Sequence, residues 1–202
     1  MTVGFVLVGA VFLGLSLRIE PGSRWFYAST LGLAAVWAVG AFASGRLHLG
    51  RIAFRDRHIR PVLTPIALGL LLAGVFVVGA LLVERLAFLD PLEDQVVSII
   101  DYADQGSVPI LVVITTVNGI AEELFFRGAA YAAITKSPVL WTTLAYGVAT
   151  LATGNLMLSF AALLLGVVCG LERRASGGIL GPILTHCTWS VTMLLVLPLV
   201  FF

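Results

Sequence analysis

Two adjacent carboxylates and a guanidinium, Glu122, Glu123 and Arg127, stand in the run AEELFFRG. A histidine, His186, stands in LTHCTWS, with Ser190 one helical turn beyond it. If the first run is helical, Glu123 and Arg127 are i, i+4 on one face and pair, while Glu122 is turned about 100° away with no basic partner on its own helix. A buried ion pair that fixes packing accounts for Glu123 and Arg127 and leaves Glu122 unexplained. An unpaired carboxylate in such a place is a candidate general base, a group that takes a proton from an attacking water. His186 is a second ionisable group deep in an apolar run, where it reaches the same region as Glu122. Thr150, Thr153 and Asn155 are polar positions at similar depth that could complete the lining of a shared cavity. Threonines bond their own helix backbone so readily that each is weak evidence by itself.

These groups stand out because their surroundings are so apolar. Of 202 residues, 59% are hydrophobic and 11% charged, against about a quarter charged in an ordinary soluble domain. With a mean hydropathy of +1.05, the apolar excess must face lipid, and the fold class is an all-α polytopic membrane bundle. A carboxylate at mid-membrane costs roughly 2.5–3.5 kcal/mol on insertion scales, so two in succession need a reason. A net charge of +1 leaves no basic stripe for nucleic acid. Cys169 and Cys187 both lie in apolar runs and read as small core residues, not as a disulfide framework or thiolate cluster.

Charges and turn formers cut the chain into about seven apolar runs, at 2–17, 25–43, 61–88, 108–137, 139–151, 156–171 and 179–200, within a single membrane domain over residues 1–202. The first lacks a basic leader region and reads as a retained helix paired with the second. The stretch 46–60 carries Arg46, Arg51, Arg55, Arg57 and Arg60 against Asp56 alone, which assigns it to the cytoplasmic side, anchored on anionic headgroups. His48 and His58 belong to that loop and are solvated. Residues 89–107 are acidic, without lysine or arginine, and read as an outer loop. Alternation then puts Lys136 and Arg173-Arg174 on the side of the 46–60 loop, with the N-terminus cytoplasmic. Gly166 and Gly170 form a GxxxG suited to close helix packing. His186 and Glu122 lie about 12 and 21 Å from the inner ends of their helices, so both reach a cavity open to the cytoplasm.

At these residues the chain resembles the CPBP family, the CAAX protease and bacteriocin-processing (Abi-type) intramembrane proteases that include type II CAAX prenyl endopeptidases. Glu122, Glu123 and Arg127 match its EExxxR motif in full, and His186 with Ser190 matches its last motif with serine in place of asparagine, inside GPILTHCTWS. The likeness covers residues 108–202 as the catalytic core. Residues 1–107 match only in being helical and apolar. The chain departs from the family at its FxxxH motif, because no histidine lies between Glu122 and His186. The nearest analogues are Tyr146 to Thr150, which keeps an aromatic at the head, and Leu151 to Asn155, which sits nearer the usual distance; both stay open.

The resemblance implies an intramembrane endopeptidase of the bacterial plasma membrane, taking a peptide or protein substrate from the membrane or the cytoplasm, with membrane lipid as its other partner. It also implies a site of Glu122, Glu123, Arg127, His186, Asn155, Thr150 and Ser190. A divalent metal such as zinc, if bound, would be held by Glu122 and His186. One remaining histidine weakens that option and favours water activated by glutamate. Mid-span aspartate pairs, GxSG and HExxH are absent, which sets aside other intramembrane protease chemistries. Two further readings stay open: a catalytically silent relative acting as a scaffold or bacteriocin self-immunity protein, and a small transporter using Glu122 and His186 as a proton relay.

Overall fold

A chain with this density of leucine, valine and alanine satisfies its backbone in lipid only by coiling into helices, and all seven apolar runs do so. The computed structural model describes residues 2–16, 18–20, 22–44, 47–54, 57–86, 90–104 and 107–201. Arg46, Arg55 and Asp56 of the basic stretch lie outside the described residues. The helices are α1 (Thr2–Ser16), α2 (Arg24–Ala43), α3 (Leu63–Arg85), α4 (Asp90–Asp104), α5 (Val108–Glu123), α6 (Tyr131–Ala133), α7 (Pro138–Leu151), α8 (Leu156–Ser176), α9 (Leu180–Val196) and α10 (Pro198–Phe201). A π-helical segment, Leu124–Ala130, joins α5 to α6.

Among the described residues, five helices are long and apolar enough to cross a membrane: Arg24–Ala43, Leu63–Arg85, Val108–Ala133, Leu156–Ser176 and Leu180–Phe201. The other two predicted spans are shorter apolar helices, α1 with 15 residues and α7 with 14. At 1.5 Å per residue each is roughly 21–23 Å long, less than a hydrocarbon core of about 30 Å. Leu7, Val39, Leu71, Val113, Val148, Phe160 and Leu199 point outward on these helices, the apolar exterior that the composition requires.

Three expectations change. The acidic segment 89–107, read as a loop, contains α4, because Val96 and Ile100 recur at helical spacing and are buried against Ala80 and Leu197. The basic stretch folds back on itself as two short antiparallel strands, β1 (Ile52–Phe54) and β2 (Arg57–Ile59), with Ile52 opposite Ile59. The fourth run ends its helix at Ala133, not at Ser137-Pro138.

Without a hydrophobic drive between helices in lipid, small residues set the packing. A Cβ on Gly166 would lie 3.0 Å from Thr143 Cγ2 and one on Gly170 2.9 Å from Val139 Cγ1, so the GxxxG draws α8 against α7. Thr185 Oγ1 of α9 donates to the Pro65 carbonyl of α3 at 3.0 Å.

Backbone bonds also fix which loops share a side. Arg51 N donates to Ser176 O at 2.8 Å, and Ile179 N and Leu180 N donate to the carbonyls of His48 and Leu49 at 2.9 and 3.1 Å. The basic stretch is thus tied to the turn after Arg173-Arg174. At the opposite end of α8, Asn155 Nδ2 donates to Gln95 O at 2.8 Å and Gln95 Oε1 accepts from Leu156 N. The acidic helix α4 therefore sits at the other end of a 21-residue helix from the arginines.

Candidate active site

The last turn of α5, the π-helical segment, α7 and α9 converge on the two glutamates. Trp37 of α2 packs on Phe125 and Phe126 with ring centroids 4.8 and 5.0 Å apart, and Phe126 packs on Tyr146 at 4.8 Å. The two phenylalanines of EELFFRG thus hold α7 at a fixed distance from the carboxylates. π-Helical turns, with their i→i+5 bonds, recur at functional sites, and this one begins immediately after Glu123.

Glu123 and Arg127 are both fully buried, and Arg127 Nη1 donates to Glu123 Oε1 at 2.8 Å. The predicted i, i+4 pair is therefore present. The same Oε1 lies 2.8 Å from His186 Nδ1. A carboxylate oxygen made acceptor-only by its arginine assigns the proton to Nδ1 and leaves the Nε2 lone pair facing outward when the ring is neutral. Glu123 is the hub that fixes Arg127 on one side and the imidazole on the other. Arg127 Nε and Nη2 have no hydrogen-bond partner among the described residues, so this one carboxylate carries the balance of its charge. Its guanidinium also lies 5.1 Å from the Tyr146 ring centroid, a cation–π contact, and its carbonyl accepts from Arg173 Nε at 2.8 Å.

Glu122 is 13% exposed at its side chain, and its Oε2 lies 3.9 Å from His186 Nε2. That gap is too wide for a hydrogen bond. A water about 2.8 Å from both atoms would bridge it at an angle of roughly 90°. Glu122 Oε2 also accepts a hydrogen bond from the Tyr146 hydroxyl at 2.5 Å.

Of the predicted site residues, Glu122, Glu123, Arg127 and His186 form one connected cluster, and three others are engaged elsewhere. Thr150 is buried, and its hydroxyl donates to the Tyr146 carbonyl at 2.9 Å. Asn155 caps α8, accepting from Leu158 N at 2.9 Å, and ties that helix to α4. Ser190 faces an apolar recess with Thr115, Ile99 and Met193. Two residues that sequence reasoning passed over lie here. Tyr146 was visible only as the aromatic head of the degenerate FxxxH analogue. Asn118, one turn before Glu122 on the same helix, has its Oδ1 buried without a partner among the described residues.

A divalent metal would find two donors facing the gap, the Glu122 carboxylate and His186 Nε2. That is one short of the three protein ligands of a catalytic zinc site, and among the described residues no group of three His, Cys, Asp or Glu is placed to hold an ion. The donor set does not fit zinc.

Residues 104–192 match the family model described as Type II CAAX prenyl endopeptidase Rce1-like. This segment, a little under half of the chain, is similar to an Rce1-like domain. No curated protein and no solved structure matches the chain. The Rce1-like match begins at the end of α4 and closes six residues after His186, so it encloses every member of the cluster and leaves α1 to α3 outside.

Proposed function

We propose that the protein is an intramembrane endopeptidase in which Glu122 activates a water for attack on a peptide carbonyl. The observation that carries this reading is the arrangement of Glu122 Oε2 and His186 Nε2 across a 3.9 Å gap, with His186 oriented from behind by Glu123. Water held between them gives one proton to Glu122 as its oxygen bonds to the carbonyl carbon. The carbonyl π pair moves onto oxygen. When the tetrahedral intermediate collapses, the C–N bond breaks and the proton on Glu122 passes to the leaving nitrogen. Glu123 and Arg127 position the histidine and the helix and do not exchange protons with substrate.

The Rce1-like likeness supports a prenylated C-terminal peptide as the substrate class. An apolar cavity of about 450 Å³ between α3, α4, α8 and α9 supports it, being lined by Phe76, Val96, Phe160 and Trp189. Trp189 lies 6.3 Å, ring to ring, from His186, so a hydrocarbon chain there would sit beside the reacting peptide. In the same reading all seven apolar helices lie in a bacterial plasma membrane. The N-terminus is then cytoplasmic, the arginine-rich end faces inward against anionic lipid, and α4 lies outside.

The test is cleavage of a quenched farnesylated CAAX-type peptide by membranes containing the protein. Glu122→Gln and His186→Ala are expected to abolish cleavage in protein that remains folded. A Glu122→Gln protein that cleaves like wild type would overturn the assignment of the base. A folded wild-type protein that cleaves neither this peptide nor its unlipidated form would favour the silent-relative reading, which the missing FxxxH histidine supports.

A further inference from the structure

A neutral His186 with its proton on Nδ1 cannot donate from Nε2, because that nitrogen then carries a lone pair. It can hold the attacking water but not the oxyanion. A hydroxyl donor stands beside the gap, that of Tyr146, bonded to Glu122 Oε2. Thr150 and Asn155, the positions expected to replace the absent histidine, have given their polar atoms to the Tyr146 carbonyl, the Leu158 amide and α4. Resting on the proteolytic reading above, we propose that Tyr146 is a catalytic residue whose hydroxyl serves as the oxyanion donor in place of the second histidine.

The geometry explains why a tyrosine can do this. Its ring is clamped between Phe126 at 4.8 Å and the Arg127 guanidinium at 5.1 Å, so the side chain need not move. Only the O–H bond turns about the Cζ–Oη axis. In the resting site that O–H donates to the Glu122 carboxylate. As the water's proton arrives on Glu122, the carboxyl becomes a donor and supplies its own hydrogen bond to Tyr146 Oη. The tyrosyl O–H is then free to turn toward the carbonyl oxygen that is gaining charge. No proton leaves the tyrosine, and a neutral donor serves both states. A preorganised donor of this kind acts where charge develops and gains strength from the dry surroundings.

Tyr146→Phe keeps the ring and its contacts and removes only the donor. We expect kcat for the farnesylated peptide to fall by about 10²- to 10³-fold, with KM within a few-fold and the melting temperature unchanged. Substituting 3-fluorotyrosine and 3,5-difluorotyrosine at position 146 preserves size and acidifies the hydroxyl. The alkaline limb of the kcat–pH profile should then move to lower pH in the order of fluorination, a response that a packing role would not produce. Wild-type kcat in Tyr146→Phe, or a profile unmoved by fluorination, with Glu122→Gln inactive, overturns this assignment and leaves the proteolytic reading standing. Activity in Glu122→Gln overturns the reading on which it rests.

Discussion

Replacing Glu123 by glutamine removes one charge from the most enclosed part of the molecule, and the structure sets the size of the effect. Arg127 is fully buried and makes one side-chain hydrogen bond, to Glu123 Oε1 at 2.8 Å; its Nε and Nη2 have none among the described residues. The amide still accepts a hydrogen bond but no longer balances the guanidinium. Breaking a buried pair from one side costs about 3–5 kcal/mol, which for a chain of this size lowers the melting temperature by roughly 6–20 °C. Glu122→Gln is the internal control. Glu122 is partly exposed, has no arginine bonded to it, and as an amide keeps an acceptor for Tyr146. Its melting temperature should stay within roughly 4 °C of wild type. The assay is thermal unfolding in detergent followed by a thiol-reactive dye, which reports on the fully buried Cys169. If the two variants melt together, Glu123 is not the hub of a charged network and the division of labour between the glutamates fails.

Cysteines placed at Arg51 and Arg174 should label from the same side of the membrane, and one placed at Glu93 from the opposite side; labelling of Arg51 and Arg174 from different faces would contradict the backbone bonds joining 48–51 to 176–180. Gly178→Ala should unfold the turn after α8, because a Cβ there would lie 2.0 Å from Gly50 N and 2.1 Å from Leu49 C; wild-type melting in that variant would refute the close approach. Asn155→Ala should lower stability by about 1–2 kcal/mol through loss of the α8 cap and its tether to α4, read as earlier melting. Incubation with a chelator should leave cleavage intact, since the donor set is one ligand short for zinc; stoichiometric zinc lost on His186→Ala would reverse that view.

Much of this was legible in the sequence because lipid permits so few solutions. Each of the seven apolar runs is helical, and among the described residues five of them are long and apolar enough to cross a membrane. The EExxxR spacing placed Glu123 against Arg127 without reference to any other element. Where the sequence misled, the deciding contacts lie far apart along the chain. Val96 and Ile100 were hidden among aspartates and glutamates, and only their burial against Ala80 and Leu197 shows the helical period to be real. Asn155 looked like a site residue by its distance from the glutamates, yet it pairs with Gln95, sixty positions earlier. Tyr146 is hard to read from sequence because the FxxxH pattern points to the end of the YGVAT segment, whereas the hydroxyl reaching Glu122 comes from its head.

The central claim is that a water activated by Glu122 breaks a peptide bond, and isotope labelling tests it most directly. Membranes containing the wild-type protein, given the farnesylated peptide in 18O-enriched water, should yield a fragment whose new C-terminal carboxylate carries one 18O atom by mass spectrometry. Glu122→Gln membranes with equal amounts of folded protein should yield none above background. Equal labelled product from both proteins, or no product from a folded wild-type protein, would contradict the account.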